Sequence, residues 1–268
     1  MKKALLIGIN YVGSVNELNG CINDVNNMKA ALISLYRFQE ANIIVLADSP
    51  NQTADKLPTK ANILNNIAKF VQNLYVGDSL VFHYSGHGMQ IPDENNDEIT
   101  HLDDVIIPVD FDKNGVIVDD DIFLGLIQKI PKNVKLNAFF DCCHSGSVTD
   151  LEWNFKYMGN PPPTTTVAKV EWNDYFKLWL ENNNAANGNI YMFSGSYDED
   201  LSADAYINST YQGAFTFCLL EILAKKVKNT KYRDLLKQIN ADLSDKGYVQ
   251  RSQFSCSAIK QFDDVFTL

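Results

Sequence analysis

Apolar residues along this chain fall into two rhythms. Short runs rich in β-branched and aromatic residues occur at Ala4–Ile9, Asn42–Leu46, Ser79–Tyr84, Asp104–Pro108, Val134–Phe140 and Asn189–Phe193. Runs this short and this poor in charge predict strands buried on both faces. Between them, apolar positions recur at helical spacing over Asn23–Tyr36, Lys60–Tyr75, Asp120–Lys129, Ala214–Lys228 and Tyr232–Ser244. Strands alternating with helices predict an α/β fold, a mostly parallel central β-sheet flanked by helices on both faces and joined by right-handed crossovers. One stretch, about 154–188, breaks the rhythm with Pro161-Pro162-Pro163, Thr164-Thr165-Thr166 and Asn182-Asn183-Asn184. It predicts a long surface loop carrying a short helix around Asp174–Leu180. Strand and helix patterns resume beyond it, so residues 1–268 are expected to form a single domain.

Composition narrows the function classes. The 268 residues are 46% apolar and carry a formal net charge of −10. Such a balance argues against nucleic acid as a partner, because binding a polyanion needs a basic footprint, and it favours cations, basic peptides among them. No run approaches the roughly 18–20 apolar residues of a membrane helix. The opening Met1-Lys2-Lys3-Ala4-Leu5-Leu6-Ile7-Gly8 is too short in its apolar part for a secretory signal and lacks a cleavage site, so it is expected to be the first strand. Five irregularly spaced cysteines, two of them adjacent, do not suggest a disulfide framework, and a cytoplasmic, reducing location is the expectation.

Two strands run into unusual chemistry: Ser79–Tyr84 into Ser85-Gly86-His87-Gly88, and Val134–Phe140 into Asp141-Cys142-Cys143-His144-Ser145-Gly146. In open α/β sheets function gathers beyond the carboxyl ends of strands. A lone cysteine is more often a small buried hydrophobe, and a lone histidine near glycines a turn residue. A thiol and an imidazole at two such strand ends, both among glycines that let a substrate backbone approach, favour nucleophilic catalysis. Zinc is a poor alternative, since Cys142 and Cys143 are adjacent and no second cysteine pair follows. Between the strands lies an acidic segment (Asp93, Glu94, Asp97, Glu98, Asp103, Asp104, Asp110, Asp112, Asp119, Asp120, Asp121). It reads either as a solvated loop or as a site for a hard cation. Asp110, Asp112, Asn114, Gly115 and Asp121 fit EF-hand spacing, but a strand precedes them where a helix is needed, and a turn at Asp112–Gly115 explains them better. Gly8, Gly13 and Gly20 do not have the dinucleotide-binding spacing.

The paired sequences His83-Tyr84-Ser85-Gly86-His87-Gly88 and Asp141-Cys142-Cys143-His144-Ser145-Gly146 resemble the signature of type I metacaspases, caspase relatives found outside animals. His87 and Cys143 stand 56 residues apart, near the roughly 50 of caspases. Similarity extends over Lys3–Asn10, Leu18–Asp24, Val105–Asp110, Asp119–Asp121, Ser147–Leu151, Ser194–Ala205 and Gln212–Phe217. The resemblance implies a caspase-like fold and a cysteine endopeptidase with Cys143 as nucleophile and His87 as general acid/base. It also implies an oxyanion hole from the N–H groups of Cys143 and Gly88, and no catalytic part for Cys142. It implies a substrate pocket of Cys21, Asp24, Ser85 and Asp141 that takes Arg or Lys of protein or peptide substrates. The alternatives are a first-turn helix carboxylate for Asp24 and a strand-end cap for Asp141, but two acids and no basic residue in the matching positions favour the pocket.

The same resemblance implies Ca²⁺ as an activator held by Asp103, Asp119, Asp120 and Asp150, and a monomer. Self-processing is expected at Lys156, Lys169 or Lys177, in or near the 154–188 segment. The family's amino-terminal Pro/Gln-rich extension is lacking in this chain, and Ser196 stands where the family commonly has Cys. The rivals are another caspase-fold peptidase of different specificity and a catalytically silent scaffold.

Overall fold

The computed structural model describes residues 1–92, 101–143, 148–159, 176–180, 186–196, 204–207, 210–225 and 229–268. In chain order its elements begin β1 (Lys2–Gly8), α1 (Cys21–Tyr36), β2 (Ile43–Ala47), α2 (Lys60–Phe70), β3 (Ser79–Ser85), β4 (Gly88–Pro92) and β5 (Leu102–Ile106). Next come α3 (Phe111–Asn114), β6 (Ile117–Val118), α4 (Asp119–Gly125), β7 (Lys135–Asp141), β8 (Trp153–Tyr157) and β9 (Phe176–Leu180). The last are β10 (Asn189–Ser194), β11 (Asp204–Ile207), β12 (Thr210–Gly213), α5 (Ala214–Ala224), α6 (Tyr232–Asp245) and β13 (Gln253–Cys256).

Eight strands form the central sheet in the order β2-β1-β3-β7-β10-β13-β8-β9. The first five pair in parallel, as expected of strands that read as continuous apolar runs. Beyond β10 each pairing is antiparallel. Alternation along the strands divides two apolar cores. Leu5, Ile7, Leu80, Phe82, Leu136, Ala138 and Phe140 face α2 and α4; Ala4, Leu6, Val81, Phe139 and Phe193 face α1, α5 and α6. This is the caspase-like α/β arrangement, helices covering both faces of a mostly parallel sheet.

Four expectations need correction. Phe176–Leu180 is not helical: it is an edge strand paired with β8 through Trp153↔Leu180 to Tyr157↔Phe176. A short apolar run is ambiguous between helix and strand, and pairing with an extended neighbour decides it. Lys156 and Lys177 therefore sit opposite one another in a ladder and not in a loop, while Lys169 lies outside the described residues. The strand expected at Asp104–Pro108 runs from Leu102 to Ile106 and belongs to a separate antiparallel sheet, β4-β5-β6. Helix α2 ends at Phe70, five residues early, and Asn73 just beyond has a left-handed φ of 52°. Its start is as the sequence implies: the Thr59 side chain caps it by accepting the N–H of Asn62 at 3.2 Å.

Candidate active site

Register places the parallel strands' carboxyl ends on one level. Gly8 pairs with Ser85 and Ser85 with Asp141, while Gly195 donates to the Phe140 carbonyl at 2.7 Å. Side chains from this level divide between the two faces of the sheet. Ser85 and Asp141 point to the α1/α5 side; Tyr84 points to the α2/α4 side with Tyr11. Cys143 follows two residues after Asp141 and is half-buried, whereas Cys142 is buried in the core under α2 and α4.

On the α1/α5 side, Asp24 and Asp141 are both buried. Asp24 accepts the Ser85 hydroxyl at 2.7 Å and the Gly213 N–H at 3.0 Å. Asp141 accepts the N–H of Thr216, in the first turn of α5, at 2.8 Å. Helix N-termini leave such donors for an acceptor, so the first turn of α5 presents its N–H to this carboxylate. A Cβ at Gly213 would stand 2.1 Å from Asp141 Oδ2 and 2.7 Å from Asp24 Oδ2, so the two carboxylates converge on the space that glycine leaves. Hydrogen bonds to charged acceptors are worth about 1.5–3 kcal/mol each, against a burial penalty of several kcal/mol per ion. Cys21, the first residue of α1, is buried here as well; its carbonyl oxygen lies 2.6 Å from the position of a Cβ at Gly8.

Across the sheet end, His87 sits on the connection between β3 and β4. Its Nε2 is 2.8 Å from the Asn16 carbonyl oxygen. A carbonyl only accepts, so Nε2 carries the hydrogen in this arrangement and Nδ1 is the basic nitrogen of the neutral ring. Gly88 lies against the nucleophile candidate: a Cβ there would come 2.2 Å from the Cys143 carbonyl oxygen and 3.2 Å from the Cys142 Sγ. The backbone at Gly88 is thus packed directly against Cys142 and Cys143. His144, Ser145, Gly146 and Ser147 lie outside the described residues.

The metacaspase peptidase C14 domain profile matches residues 2–152. Metacaspase-1 of Kluyveromyces lactis is 38% identical over 96% of this chain and 66% of its own length. Metacaspase-1 of Pyricularia oryzae is 35% identical over 96% of this chain and 72% of its own. This chain belongs to the metacaspase family. It spans about two thirds of the length of the curated metacaspases it matches. A crystal structure of a Geobacter sulfurreducens protein superposes with a TM-score of 0.65 at 23% identity, covering 100% of this chain and 98% of that one, which supports the fold.

Of the metacaspase residues expected from sequence, the structure brings together Ser85, Asp24 and Asp141 on one side and Gly88 and Cys143 on the other. The four calcium-ligand candidates come from three segments: β5, the start of α4 and the stretch after Cys143. Asp119 Oδ2 accepts the Asp104 N–H of β5 at 2.6 Å and its Oδ1 the Asp120 N–H at 3.1 Å, at the start of α4. Asp103 lies in β5 opposite Ile91, and Asp150 is buried in the segment after the nucleophile with a left-handed φ of 46°. Among the described residues no group of three or more His, Cys, Asp or Glu side chains converges to hold a metal ion. Asp110 is likewise engaged, accepting the Lys60 N–H at 2.8 Å and the Asn114 amide at 2.6 Å. Asp93, Glu94, Asp97 and Glu98 lie outside the described residues.

Tyr11, Asn16, Gly213 and Thr216 were not expected at the site. Gly213, a glycine just before a helix, carried a faint signal; Tyr11 and Asn16 lie in a polar loop and carried none.

Proposed function

We propose that the chain is a cysteine endopeptidase that cleaves after Arg or Lys. The observation that carries this reading is the pair of buried carboxylates, Asp24 and Asp141, converging beside Gly213, with Asp141 two residues before Cys143. A guanidinium or ammonium seated there meets two anions, whereas an aspartate side chain would meet like charge.

In this reading the Cys143 thiol gives its proton to His87 Nδ1 and its sulfur attacks the scissile carbonyl. The negative charge formed on the carbonyl oxygen is met by backbone N–H groups of Cys143 and Gly88. The imidazolium then returns the proton to the departing amine, leaving a thioester on Cys143. Water, deprotonated by the same imidazole, hydrolyses the thioester and restores the thiol. Calcium activation and self-processing rest on family resemblance alone, and no step above passes through a metal.

Hydrolysis of fluorogenic peptides ending in Arg or in Asp, with millimolar calcium and with chelator, tests the reading. Wild type should release only from the Arg peptide, Cys143→Ala should be silent, and Cys142→Ala should keep most of the activity. Comparable hydrolysis of the Asp peptide would overturn the specificity, and a silent Cys142 variant beside an active Cys143 variant would overturn the nucleophile. Full activity in chelator would remove calcium.

A further inference from the structure

The backbone of His87 is held by two phenols. Its N–H donates to the Tyr11 hydroxyl at 2.9 Å, and its carbonyl accepts the Tyr84 hydroxyl at 2.7 Å. Ile107 closes the network: its carbonyl accepts the Tyr11 hydroxyl at 2.7 Å and its N–H donates to the Tyr84 oxygen at 3.2 Å. The two phenol oxygens are 3.3 Å apart. Glycine at 86 makes room for them, because a Cβ there would stand 2.7 Å from the Tyr84 oxygen and 3.1 Å from that of Tyr11. The Tyr11 ring also lies against the His87 imidazole, centroids 4.7 Å apart and tilted by 36°.

The two tyrosines are not equivalent. Tyr84 is a strand residue whose ring fills the core, and it would be held there by packing alone. Tyr11 stands outside the strands with a left-handed φ of 53°, a conformation that a tyrosine adopts only where surrounding contacts impose it. Burial pushes both phenols up well beyond their usual range, so each keeps its proton and its donor role throughout the working pH range.

We propose that Tyr11 is a positioning residue for His87, its hydroxyl fixing the backbone and its ring fixing the plane of the imidazole that presents Nδ1 to Cys143. The same loop supplies the Asn16 carbonyl to Nε2, so the backbone N–H, ring face and outer nitrogen of His87 are all set by residues 11–16. This deepens the proposed peptidase function and rests on it. A purely structural tyrosine would affect stability and leave the rate constant and the reactivity of the thiol unchanged.

Tyr11→Phe keeps the ring and removes the hydroxyl. We measure kcat and KM on the Arg peptide and, independently of turnover, the rate of Cys143 alkylation by iodoacetamide from pH 4 to 9, with His87→Ala as reference. Cys143 is the half-buried cysteine and the other four are buried, so alkylation of the folded protein reports on it. Wild type should show an acid shoulder from the thiolate–imidazolium pair that His87→Ala lacks. Tyr11→Phe should lose about tenfold in kcat with KM within about twofold, and its acid shoulder should shrink by a similar factor. A Tyr11→Phe protein with wild-type kcat and a wild-type shoulder overturns the proposal and leaves the peptidase reading intact. Wild type that neither hydrolyses peptide nor differs from His87→Ala in alkylation overturns the peptidase reading, and this proposal with it. Where Tyr11→Phe does not fold, judged by circular dichroism, 3,5-difluorotyrosine at position 11 keeps ring and hydroxyl but weakens the oxygen as an acceptor. It should reduce kcat and shoulder about threefold, and no change would overturn the proposal.

Discussion

His83 is fully buried four residues before His87, with Nε2 3.2 Å from the Thr216 hydroxyl. Burial pushes its pKa down from 6.5 to about 3, so the ring stays neutral at any working pH and takes no part in acid–base chemistry. Its consequence is for stability. In the unfolded chain the ring binds a proton below about 6.5, while the folded protein refuses it until about 3. The unfolded state therefore binds more protons in that window, and stability falls as pH falls through it. Urea unfolding of wild type and His83→Leu should separate the two. Below pH 6.5 wild type should lose up to about 1.4 kcal/mol per pH unit more than the variant. Parallel curves would mean that the folded protein accepts the proton. The two histidines illustrate what the sequence could and could not give. Both stand near one strand end among similar neighbours, and the motif singled out His87; that His83 points under α5 follows from the alternation of β3 once its faces are known. Tyr11 was illegible for another reason: its role depends on a bond to a residue 76 positions away.

At the scale of elements, the start of α5 and the end of β7 make one unit. Gly213 is the N-cap of α5 with φ −66°, a conformation open to any residue, so its glycine is demanded by space and not by backbone freedom. Gly213→Ala would drive a methyl into Asp141 Oδ2, at 2.1 Å. Both carboxylates would have to retreat. We expect kcat/KM on Arg peptides to fall at least about 100-fold while the thermal midpoint drops only a few degrees, because the clash is confined to the pocket floor. An unchanged kcat/KM, read from the same peptide assay, would dissociate Gly213 from the substrate site. The sequence disclosed strands β1, β3, β7 and β10 because burial on both faces writes itself as unbroken apolar runs. It concealed β13, whose Gln253 and Ser255 are buried polar residues, Ser255 satisfied by a hydrogen bond to Asn154 of β8. It also misled at β9, where Phe176–Leu180 has the length of a strand but no alternation to distinguish it from a helix turn. The pocket floor was half legible: Asp24 and Asp141 stand in motifs, but the Gly213 N–H that meets Asp24 comes from 189 residues further on.

For the whole molecule, the catalytic candidates come from early strands and the sheet is completed by a late one. His87 and Cys143 follow β3 and β7, whereas β13 enters between β10 and β8. The β8–β9 pair, complete by Leu180, joins the rest of the sheet through Gln253–Cys256. During synthesis from the amino terminus, β8 and β10 therefore each present an unsatisfied edge until Gln253–Cys256 has emerged. Open edges of that kind recruit other chains, and such intermediates aggregate readily. A chain stopped before Gln253 should be found in the insoluble fraction, or as large species by size-exclusion chromatography, with its Cys143 and His87 both present and no proteolysis to show for them. A soluble, monomeric truncation would mean that β10 closes without β13. The order in which the ribosome delivers these strands thus acts as a timer: the residues of the proposed dyad exist long before the sheet that sets their geometry, and a newly made peptidase would be held harmless until β13 has been delivered.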